Sequence, residues 1–232
     1  MERNSIALDG PAGSGKSSLA KRVAKHFGIV YVDTGALYRA IGLYALNKSV
    51  STKDVTAVIS LLPDITVTME YDADGAQRMF LCGEDVTDGI RLPEVSTAAS
   101  DVSAIPQVRE FLLNMQREMA VKYDVIMDGR DIGTVILPNA GLKIFITADV
   151  ETRAQRRFLE LKEKGISSNF DDVLNDMILR DKNDSERATA PLKAADDAIV
   201  LDTTELDFEE SFLVICELVR RTRVAPCGCG CH

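Results

Sequence analysis

A glycine-rich segment near the start of the chain, GPAGSGKS at residues 10–17, leaves few folds open to this sequence. It fits the pattern G-x-x-x-x-G-K-[ST] and lies between a short β-branched run and an amphipathic helical pattern. Backbone N–H groups of such a loop converge on phosphate, the lysine reaches the β- and γ-phosphates, and the hydroxyl of Ser17 can hold Mg²⁺. The alternative is a strand-to-helix turn that binds nothing. The residues expected to contact ATP here are Gly10, Pro11, Ala12, Gly13, Ser14, Gly15, Lys16, Ser17 and Ser18.

Short runs of apolar, β-branched residues alternate with helical patterns along the chain, which is typical of a buried parallel sheet. The first helical pattern is clear, because Leu19, Val23 and Phe27 recur every four residues and Gly28 follows in the position of a C-cap. The strand-like runs are residues 5–8, 29–32, 124–127, 142–147 and 198–201. The sequence therefore predicts an α/β fold with a five-stranded parallel sheet flanked by helices.

The pattern changes in residues 63–104, which we interpret as an insert on the α/β core. Apolar and polar side chains alternate over residues 65–69, and the turn-like YDADGAQ leads into residues 78–86. This alternation predicts an antiparallel hairpin with one buried face. Helical patterns follow over residues 93–104 and 106–122.

The composition restricts what the chain can bind. Its formal net charge is -9, which argues against general affinity for nucleic acid or an anionic membrane surface. Charged residues interrupt the longest apolar runs, so we expect no membrane-spanning segment. We also expect a monomeric protein that works in the cytoplasm. Cys82 and Cys216 lie in otherwise apolar segments, and we expect both to be buried thiols.

Several arginines follow the predicted strands of this acidic chain. Arg39 and Arg130 come after the second and third strands, and the carboxyl ends of strands are where open α/β sheets bind ligands. Guanidinium groups bind phosphate in a bidentate manner and keep their charge, which suits an acceptor phosphate or a phosphoryl group in transfer. The guanine-reading motif of GTPases is absent from the sequence. Arg109, Arg180 and Arg187 belong to the same candidate set.

Residues 151–188 are rich in charge and begin with Arg153, Arg156 and Arg157 at helical spacing. We expect a helical lid that closes over ATP and excludes water, with Arg157 contacting ATP. The alternative for these arginines is a solvated helix face, and for Arg153 the sequence favours neither.

Several motifs together resemble the bacterial cytidylate kinases, a family of P-loop nucleoside monophosphate kinases. The resemblance extends from about residue 6 to the final helix, and DGRDIGT together with the insert separates this family from adenylate, guanylate and thymidylate kinases. The motifs are GPAGSGKSS, DTGALYR, GEDVTDGIR, STAASDVSAIPQVRE, DGRDIGTVILPNA and RD-x-x-D-x-x-R followed by APL.

This resemblance implies a core of five parallel strands in the order 2-3-1-4-5, a CMP-binding region with a small antiparallel sheet, and a short lid. It implies that Arg39, Arg130 and Arg187 hold the phosphate of CMP, and that Arg180 and Asp184 hold the ribose. The residues implied for the base and its surroundings are Ser100, Arg109, Asp131, Tyr38 and Thr34, the last standing where many relatives have serine.

The chemistry of cytosine makes Asp131 a sensible reader of the base. Cytosine presents an N4–H₂ donor where uracil presents the O4 acceptor, so a carboxylate accepts from the first and repels the second. Arg109 can donate to the N3/O2 edge. The alternative for Asp131 is a structural salt bridge with Arg130 or Arg180.

The reaction implied is transfer of the γ-phosphoryl group of ATP to CMP or dCMP with Mg²⁺. It needs no general base, because the acceptor is already a phosphate oxygen. The residues expected to act on the transferring group are Lys16, Arg130, Arg157 and Arg187. The rivals are a P-loop kinase for UMP or another small acceptor, and a nucleotide-binding scaffold that performs no transfer.

The expected organisation alternates core and appended segments. The core takes residues 1–62, which carry the P-loop, together with residues 105–150 and 189–223. Residues 63–104 form the nucleotide-binding insert, residues 151–188 the lid region, and residues 224–232 a disordered tail. The tail carries three cysteines and a histidine, whose C-x-C-x-C-H spacing is tighter than that of ordinary zinc sites.

Overall fold

A computed structural model of the 232-residue chain describes residues 4–163 and 165–222. The expected tail, residues 224–232, lies outside these residues. The strands are β1 (Ser5–Asp9), β2 (Val30–Asp33), β3 (Val67–Tyr71), β4 (Gln77–Leu81), β5 (Glu84–Asp85), β6 (Val125–Gly129), β7 (Leu142–Thr147) and β8 (Ile199–Asp202). The helices are α1 (Lys16–Phe27), α2 (Thr34–Asn47), α3 (Val55–Leu61), α4 (Pro93–Ser103), α5 (Pro106–Lys122), α6 (Val150–Glu163), α7 (Phe170–Glu186) and α8 (Phe208–Thr222).

The chain divides into two compact units. Unit 1 takes its residues from Met1–Tyr31 and Ala120–His232, and unit 2 is Val32–Met119. Strand β2 crosses this division, since Val30 and Tyr31 belong to unit 1 and the rest of the strand to unit 2. None of the helices among residues 4–163 and 165–222 is both long enough and apolar enough to cross a membrane.

The predicted parallel sheet has the order β2-β6-β1-β7-β8, and all of it except the end of β2 belongs to unit 1. Counted in chain order, these five strands run 2-3-1-4-5, which confirms the implied topology. Ile6 in the central strand is in register with Ile126 on one side and Leu142 on the other. Such fully buried strands need apolar side chains on both faces, which explains their continuous apolar runs.

Two helices cover the apolar side chains of this sheet. The helical repeat of α1 turns Leu19 and Val23 into the core, and α8 contributes Phe212, Ile215 and Val219. Gly28 ends α1 in the left-handed conformation, at φ 66°, as the sequence predicts. The P-loop thus lies between a buried strand and a helix anchored by its own apolar face.

Unit 2 combines helices with the predicted small antiparallel sheet, in the order β3-β4-β5. Met69 pairs with Met79 across β3 and β4, and Met79 is buried against the helices of the unit. The expected run over residues 78–86 is two strands, because Cys82 and Gly83 form a tight turn with φ values of 50° and 85°.

That turn corrects one prediction. Cys82 is exposed, whereas Cys216 is buried as expected. The apolar residues around Cys82 alternate with the pleat of β4, and the turn carries the thiol outward at the end of the strand.

Candidate active site

The P-loop passes very close to the neighbouring strand. A Cβ at Gly10, whose φ is 153°, would lie 2.1 Å from the backbone oxygen of Ile146 in β7. Gly13 has a φ of 72°, and a Cβ there would lie 3.1 Å from the backbone oxygen of Arg153 in α6. Both positions therefore require glycine. A loop of this geometry suits the anion cradle that the sequence predicts.

Lys16 begins α1 and is buried, with 6% of its surface exposed. Its Nζ donates to the backbone oxygen of Pro11 at 2.9 Å, so the side chain curls over the loop. Burial lowers the pKa of Lys16 well below its usual range, and the Arg130 guanidinium lowers it further, while Asp128 opposes them. A buried cation short of water gains most from a bound anion, which suits a triphosphate.

Ser17 is tied to the carboxyl end of β6. Its Oγ donates to Oδ2 of Asp128 at 2.5 Å, and the hydroxyl of Tyr31 donates to Oδ1 of the same carboxylate at 2.9 Å. A hydroxyl and a carboxylate held together beside a phosphate cradle are the oxygen ligands that Mg²⁺ prefers when it also binds phosphates. The residues present therefore fit a magnesium–nucleotide complex.

Asp128 was not among the residues predicted from the sequence, because its strand runs on into Arg130. The signal was nevertheless present, since a carboxylate that ends a buried strand is the usual magnesium partner of a P-loop hydroxyl. Tyr31 carried no such signal, because its contact with Asp128 joins residues far apart in sequence.

Four of the candidate acceptor residues meet in unit 1. Nε of Arg130 donates to Oδ2 of Asp184 at 2.8 Å, and Nη2 of Arg187 lies 3.5 Å from Oδ1 of Asp131. Nε of Arg187 also donates to the backbone oxygen of Ala190 at 2.7 Å. These contacts join the carboxyl end of β6 to the end of α7, where Asp184 and Arg187 lie.

The charges of this cluster offset one another. Burial alone would raise the pKa of Asp184, but Arg130, then Arg180 and Arg187, hold it below its ordinary value. Asp184 is therefore ionised at neutral pH. Asp131 forms an ion pair with Arg187.

Arg180 also lies in unit 1, on α7, and the other acceptor candidates lie in unit 2. Asp33 caps α2, accepting from the amide of Ala36 at 3.0 Å, and its Oδ2 lies 3.3 Å from Nη1 of Arg39. Although burial raises the pKa of Asp33, the Arg39 guanidinium lowers it below its ordinary value. Thr34, buried at the first turn of α2, follows the capping residue directly.

Two of the residues implied for the base, Arg109 and Tyr38, come together within this unit. The Arg109 guanidinium lies 5.4 Å from the centre of the Tyr38 ring, and its Nη1 donates to the backbone oxygen of Ser103 at 3.2 Å. Ser100 lies one turn before Ser103 on α4, and its backbone oxygen accepts from the Ser103 hydroxyl at 2.9 Å. Arg109 is buried, so its position is fixed by packing as well as by these contacts.

Arg153, the first arginine of the expected lid region, holds parts of the fold together. Arg153 is buried, with 5% of its surface exposed, so it does not belong to a solvated helix face. It donates to the backbone oxygens of Ala148 at 2.8 Å and Ala12 at 3.1 Å, and to Oδ2 of Asp181 at 2.6 Å. Arg153 therefore connects β7, the P-loop and α7.

The other two arginines of α6, Arg156 and Arg157, differ from Arg153 in their contacts. Arg156 donates to the backbone oxygen of Thr203 at 2.6 Å, beside β8. Arg157 is partly exposed and pairs with Glu160 at 2.8 Å, one turn along the same helix. Of the three arginines, Arg157 pairs with a carboxylate at the surface, whereas Arg153 and Arg156 donate to backbone oxygens.

Comparisons with known proteins agree with this geometry. A family model described as cytidylate kinase matches residues 6–221. The cytidylate kinase of Caldicellulosiruptor bescii is 50% identical over 218 residues, which cover 94% of this chain and 96% of that protein. That of Lactobacillus johnsonii is 47% identical over 216 residues, which cover 93% and 94%.

One solved structure supports the fold alone. An uncharacterized protein from Eubacterium ventriosum superposes with a TM-score of 0.52 at 16% identity, over 94% of this chain and 99% of that chain. Because the family model and the relatives span nearly the whole sequence, the chain belongs to the cytidylate kinase family.

Proposed function

We propose that this protein transfers the γ-phosphoryl group of ATP directly to CMP or dCMP, giving ADP and CDP or dCDP. The observation that carries the proposal is the cluster of Arg130, Asp184, Arg187 and Asp131 in the same unit as a complete P-loop. A P-loop alone would serve any nucleotide, whereas paired arginines beside it suit a second phosphate.

The donor nucleotide is held by the P-loop in this proposal. Backbone N–H groups from Gly10 to Ser18 cradle the phosphates, and the Lys16 ammonium neutralises charge that develops on them. Ser17 and Asp128 would hold Mg²⁺, which when bound supplies positive charge to the β- and γ-phosphates. Arg157, at the surface of α6, is the remaining contact proposed for ATP.

The acceptor is aligned by arginines rather than activated by a base. Arg39, Arg130 and Arg187 bind its phosphate, and one phosphate oxygen attacks the γ-phosphorus in line with the departing ADP oxygen. Arg180 and Asp184 bind the ribose. Since Arg130 and Arg187 already hold carboxylates, the acceptor phosphate replaces one anionic partner with another and no arginine is left buried without a counter-charge.

The base is read by hydrogen-bonding groups of opposite character. Asp131 accepts from the exocyclic amino group of cytosine, while Arg109 donates to its N3/O2 edge and Ser100 adds a hydroxyl. Tyr38 packs near the base, and its own contact with Arg109 supports that position. Uracil would bring an acceptor against the Asp131 carboxylate, which favours CMP over UMP.

All of these groups belong to one chain, so the proposed reaction needs no second subunit. We accordingly propose a monomer, working in the cytoplasm, where its nucleotide substrates are found. Light scattering of the purified protein measures its mass in solution directly, and a dimeric mass would contradict the monomer.

An ADP-release assay with CMP, dCMP, UMP, AMP and GMP as separate acceptors tests the function. The proposal expects CMP and dCMP to be phosphorylated well and UMP more slowly by a factor of about 10 to 100 or more. Equal rates with UMP would favour a general pyrimidine nucleotide kinase. ADP release that needs no acceptor, or binding of ATP without release, would contradict phosphoryl transfer to a nucleotide.

A further inference from the structure

Asp9 is a buried carboxylate that the proposed reaction leaves without a role. It is the last residue of β1, directly before Gly10 of the P-loop, and 5% of its surface is exposed. Its Oδ1 accepts from the amide of Ile132 at 2.7 Å, and its Oδ2 accepts from the amide of Gly133 at 2.8 Å. These amides belong to residues more than a hundred positions away along the chain.

The two amides open a single turn of π-helix, Ile132–Ile136, that begins directly after Asp131. The first amides of a helical turn have no partner within the turn, and an acceptor at that end is normally supplied by the preceding side chain. Asp131 makes no such capping bond. Asp9 supplies the cap instead, from a neighbouring strand, with both of its oxygens.

This arrangement fixes where Asp131 can point. The residue sits at φ -147° and ψ 28°, outside the helical conformation, between β6 and the capped turn. Hydrogen bonds to an ionised carboxylate are about twice as strong as neutral ones, so the turn is held firmly at its first two amides. The Cβ of a residue other than glycine at position 133 would lie 3.1 Å from Cδ of Lys143 and 3.4 Å from Oδ2 of Asp9, so the turn packs closely against β7 and β1.

The carboxylate is costly to keep at this position. Burial is the largest effect and raises the pKa of Asp9, the amides of Gly133 and Ile132 and the Lys16 ammonium lower it, and Asp131 raises it. The net result is a pKa of about 6. The charged groups that face Asp9 are thus Asp131 from the turn and Lys16 from α1. Lys143 of β7 directs its ammonium to Asp197, at 2.8 Å.

We propose that Asp9 is a positioning residue for the acceptor base, holding the turn that follows Asp131 so that the Asp131 carboxylate meets the cytosine amino group. The proposal rests on the function proposed above and adds a residue to its specificity. The donor nucleotide is not expected to depend on Asp9, since the P-loop is fixed by its close packing at Gly10 and by the Arg153 bond to Ala12.

Asp9→Asn tests this with little change in shape. An amide offers one acceptor oxygen, and its NH₂ group would face a backbone N–H, so one of the two caps is lost. We expect kcat/KM for CMP to fall by about tenfold or more, and the ratio of kcat/KM for CMP to that for UMP to fall with it. KM for ATP should stay within about twofold of the parent.

Asp54→Asn is the matched control. Asp54 also caps a helix with its carboxylate, accepting from the amide of Ala57 at 3.0 Å, but it lies at the exposed start of α3 in unit 2. Its kinetics with both nucleotides should equal those of the parent. A CMP-to-UMP ratio unchanged in Asp9→Asn, or a rise in KM for ATP matching the loss for CMP, would overturn the inference.

The parent protein provides a second test if Asp9→Asn does not fold. The CMP-to-UMP ratio is measured between pH 5.5 and 7.5, because both substrates carry the same phosphate, whose own titration near pH 6 cancels in the ratio. Protonation of Asp9 replaces one acceptor with a hydroxyl, so the ratio should fall as the pH falls through about 6. A ratio constant over this range would contradict the role of Asp9.

The two proposals fail in different ways. If the proposed function is wrong, the parent does not phosphorylate CMP in preference to other acceptors. If only the role of Asp9 is wrong, the parent is a selective CMP kinase and Asp9→Asn is equally selective.

Discussion

Several arginine side chains in unit 1 are held in position by a partner of opposite charge, by a backbone oxygen or by both. Arg130 is held by Asp184, Arg187 by Asp131 and the backbone, and Arg153 by Asp181 together with two backbone oxygens. Each pair limits the arginine to few orientations, so little side-chain entropy remains to be lost when a phosphate binds.

Asp131→Asn should change which base is preferred. The amide can turn its NH₂ toward O4 of uracil, so CMP becomes a poorer substrate while UMP loses little or improves. We expect the CMP-to-UMP ratio of kcat/KM to fall by about tenfold or more. The ratio is the quantity to measure, because damage to the neighbouring Arg130 would lower both rates together. A ratio equal to that of the parent would transfer the reading of the base to Ser100 and Arg109.

Variants of Arg153 and Arg157 should have different effects, the first on the stability of the protein and the second on ATP binding. Arg153→Met leaves Asp181 without its buried partner and removes the hydrogen bonds to two backbone oxygens, so unfolding in urea should show a loss of about 3–5 kcal/mol. Arg157→Met removes a surface pair with Glu160, and its loss of stability should be below about 1 kcal/mol. KM for ATP should rise in Arg157→Met. Equal stabilities of the two variants would contradict the structural position of Arg153.

The residues also show what the sequence can and cannot reveal. The P-loop and the arginines were predicted because their chemistry is contained in short motifs and in their place after strands. Asp9, Tyr31 and Asp181 were missed, because each acts through a contact with a residue distant in sequence. Only the register of the sheet and the packing of α6 against α7 bring those pairs together.

At the level of secondary structure, the strands of the parallel sheet were predicted to within two residues at each end, and β6 differs most because it ends at Gly129 rather than at residue 127. Three of them extend one residue further than expected, at Asp9, Asp33 and Asp202, because polar residues at their carboxyl ends still pair in the sheet or lie at its edge. Periodicity marks the apolar part of a strand and stops at its first polar residue. The turn at Cys82 was missed because a positive φ at a cysteine has no sequence signature.

The packing of the P-loop against β7 leads to a prediction for Gly10→Ala. Its Cβ would overlap the backbone oxygen of Ile146 at 2.1 Å, so the loop must move, with lower thermal stability and an ATP affinity reduced by about tenfold or more. Gly75→Ala is the control, because Gly75 also has a positive φ, of 75°, but nothing lies within 4 Å of its Cβ position. It should lose only about 1 kcal/mol of stability and keep the affinity for ATP. Similar losses of ATP affinity in both variants would contradict the close approach at Gly10.

The link between β1 and the π-helical turn should also appear in the pH dependence of stability. The pKa of Asp9 in the folded protein, about 6, lies above its ordinary value of 3.8, so the folded state binds the proton more tightly. The stabilising contribution of this proton is complete below pH 3.8 and is lost as the pH rises through about 6. Between pH 4.5 and 7, the free energy of unfolding of the parent relative to Asp9→Asn should therefore fall, by about 3 kcal/mol at most. A difference that is constant or rises with pH would contradict the burial of Asp9.

Across the whole chain, the proposed roles divide by unit. Unit 1 carries the P-loop, the magnesium ligands and the Arg130–Asp184 and Arg187–Asp131 pairs, while unit 2 carries Arg39 and the Arg109–Tyr38 contact. The parallel sheet of unit 1 is the part of the fold that its apolar runs specify best. The small sheet of unit 2 depends on turns, and its strand count was accordingly the less accurate prediction.

The central statement about the whole protein is that the γ-phosphoryl group of ATP is transferred directly to CMP. ATP labelled at its γ-phosphorus is incubated with CMP, Mg²⁺ and either the parent or Lys16→Ala, and the products are separated by chromatography. We expect the label in the β-phosphate of CDP with the parent, and a rate lower by orders of magnitude with a folded Lys16→Ala protein, because the lysine stabilises the charge of the transferring group. Label found in inorganic phosphate instead of CDP, or near-normal transfer by Lys16→Ala, would contradict the mechanism.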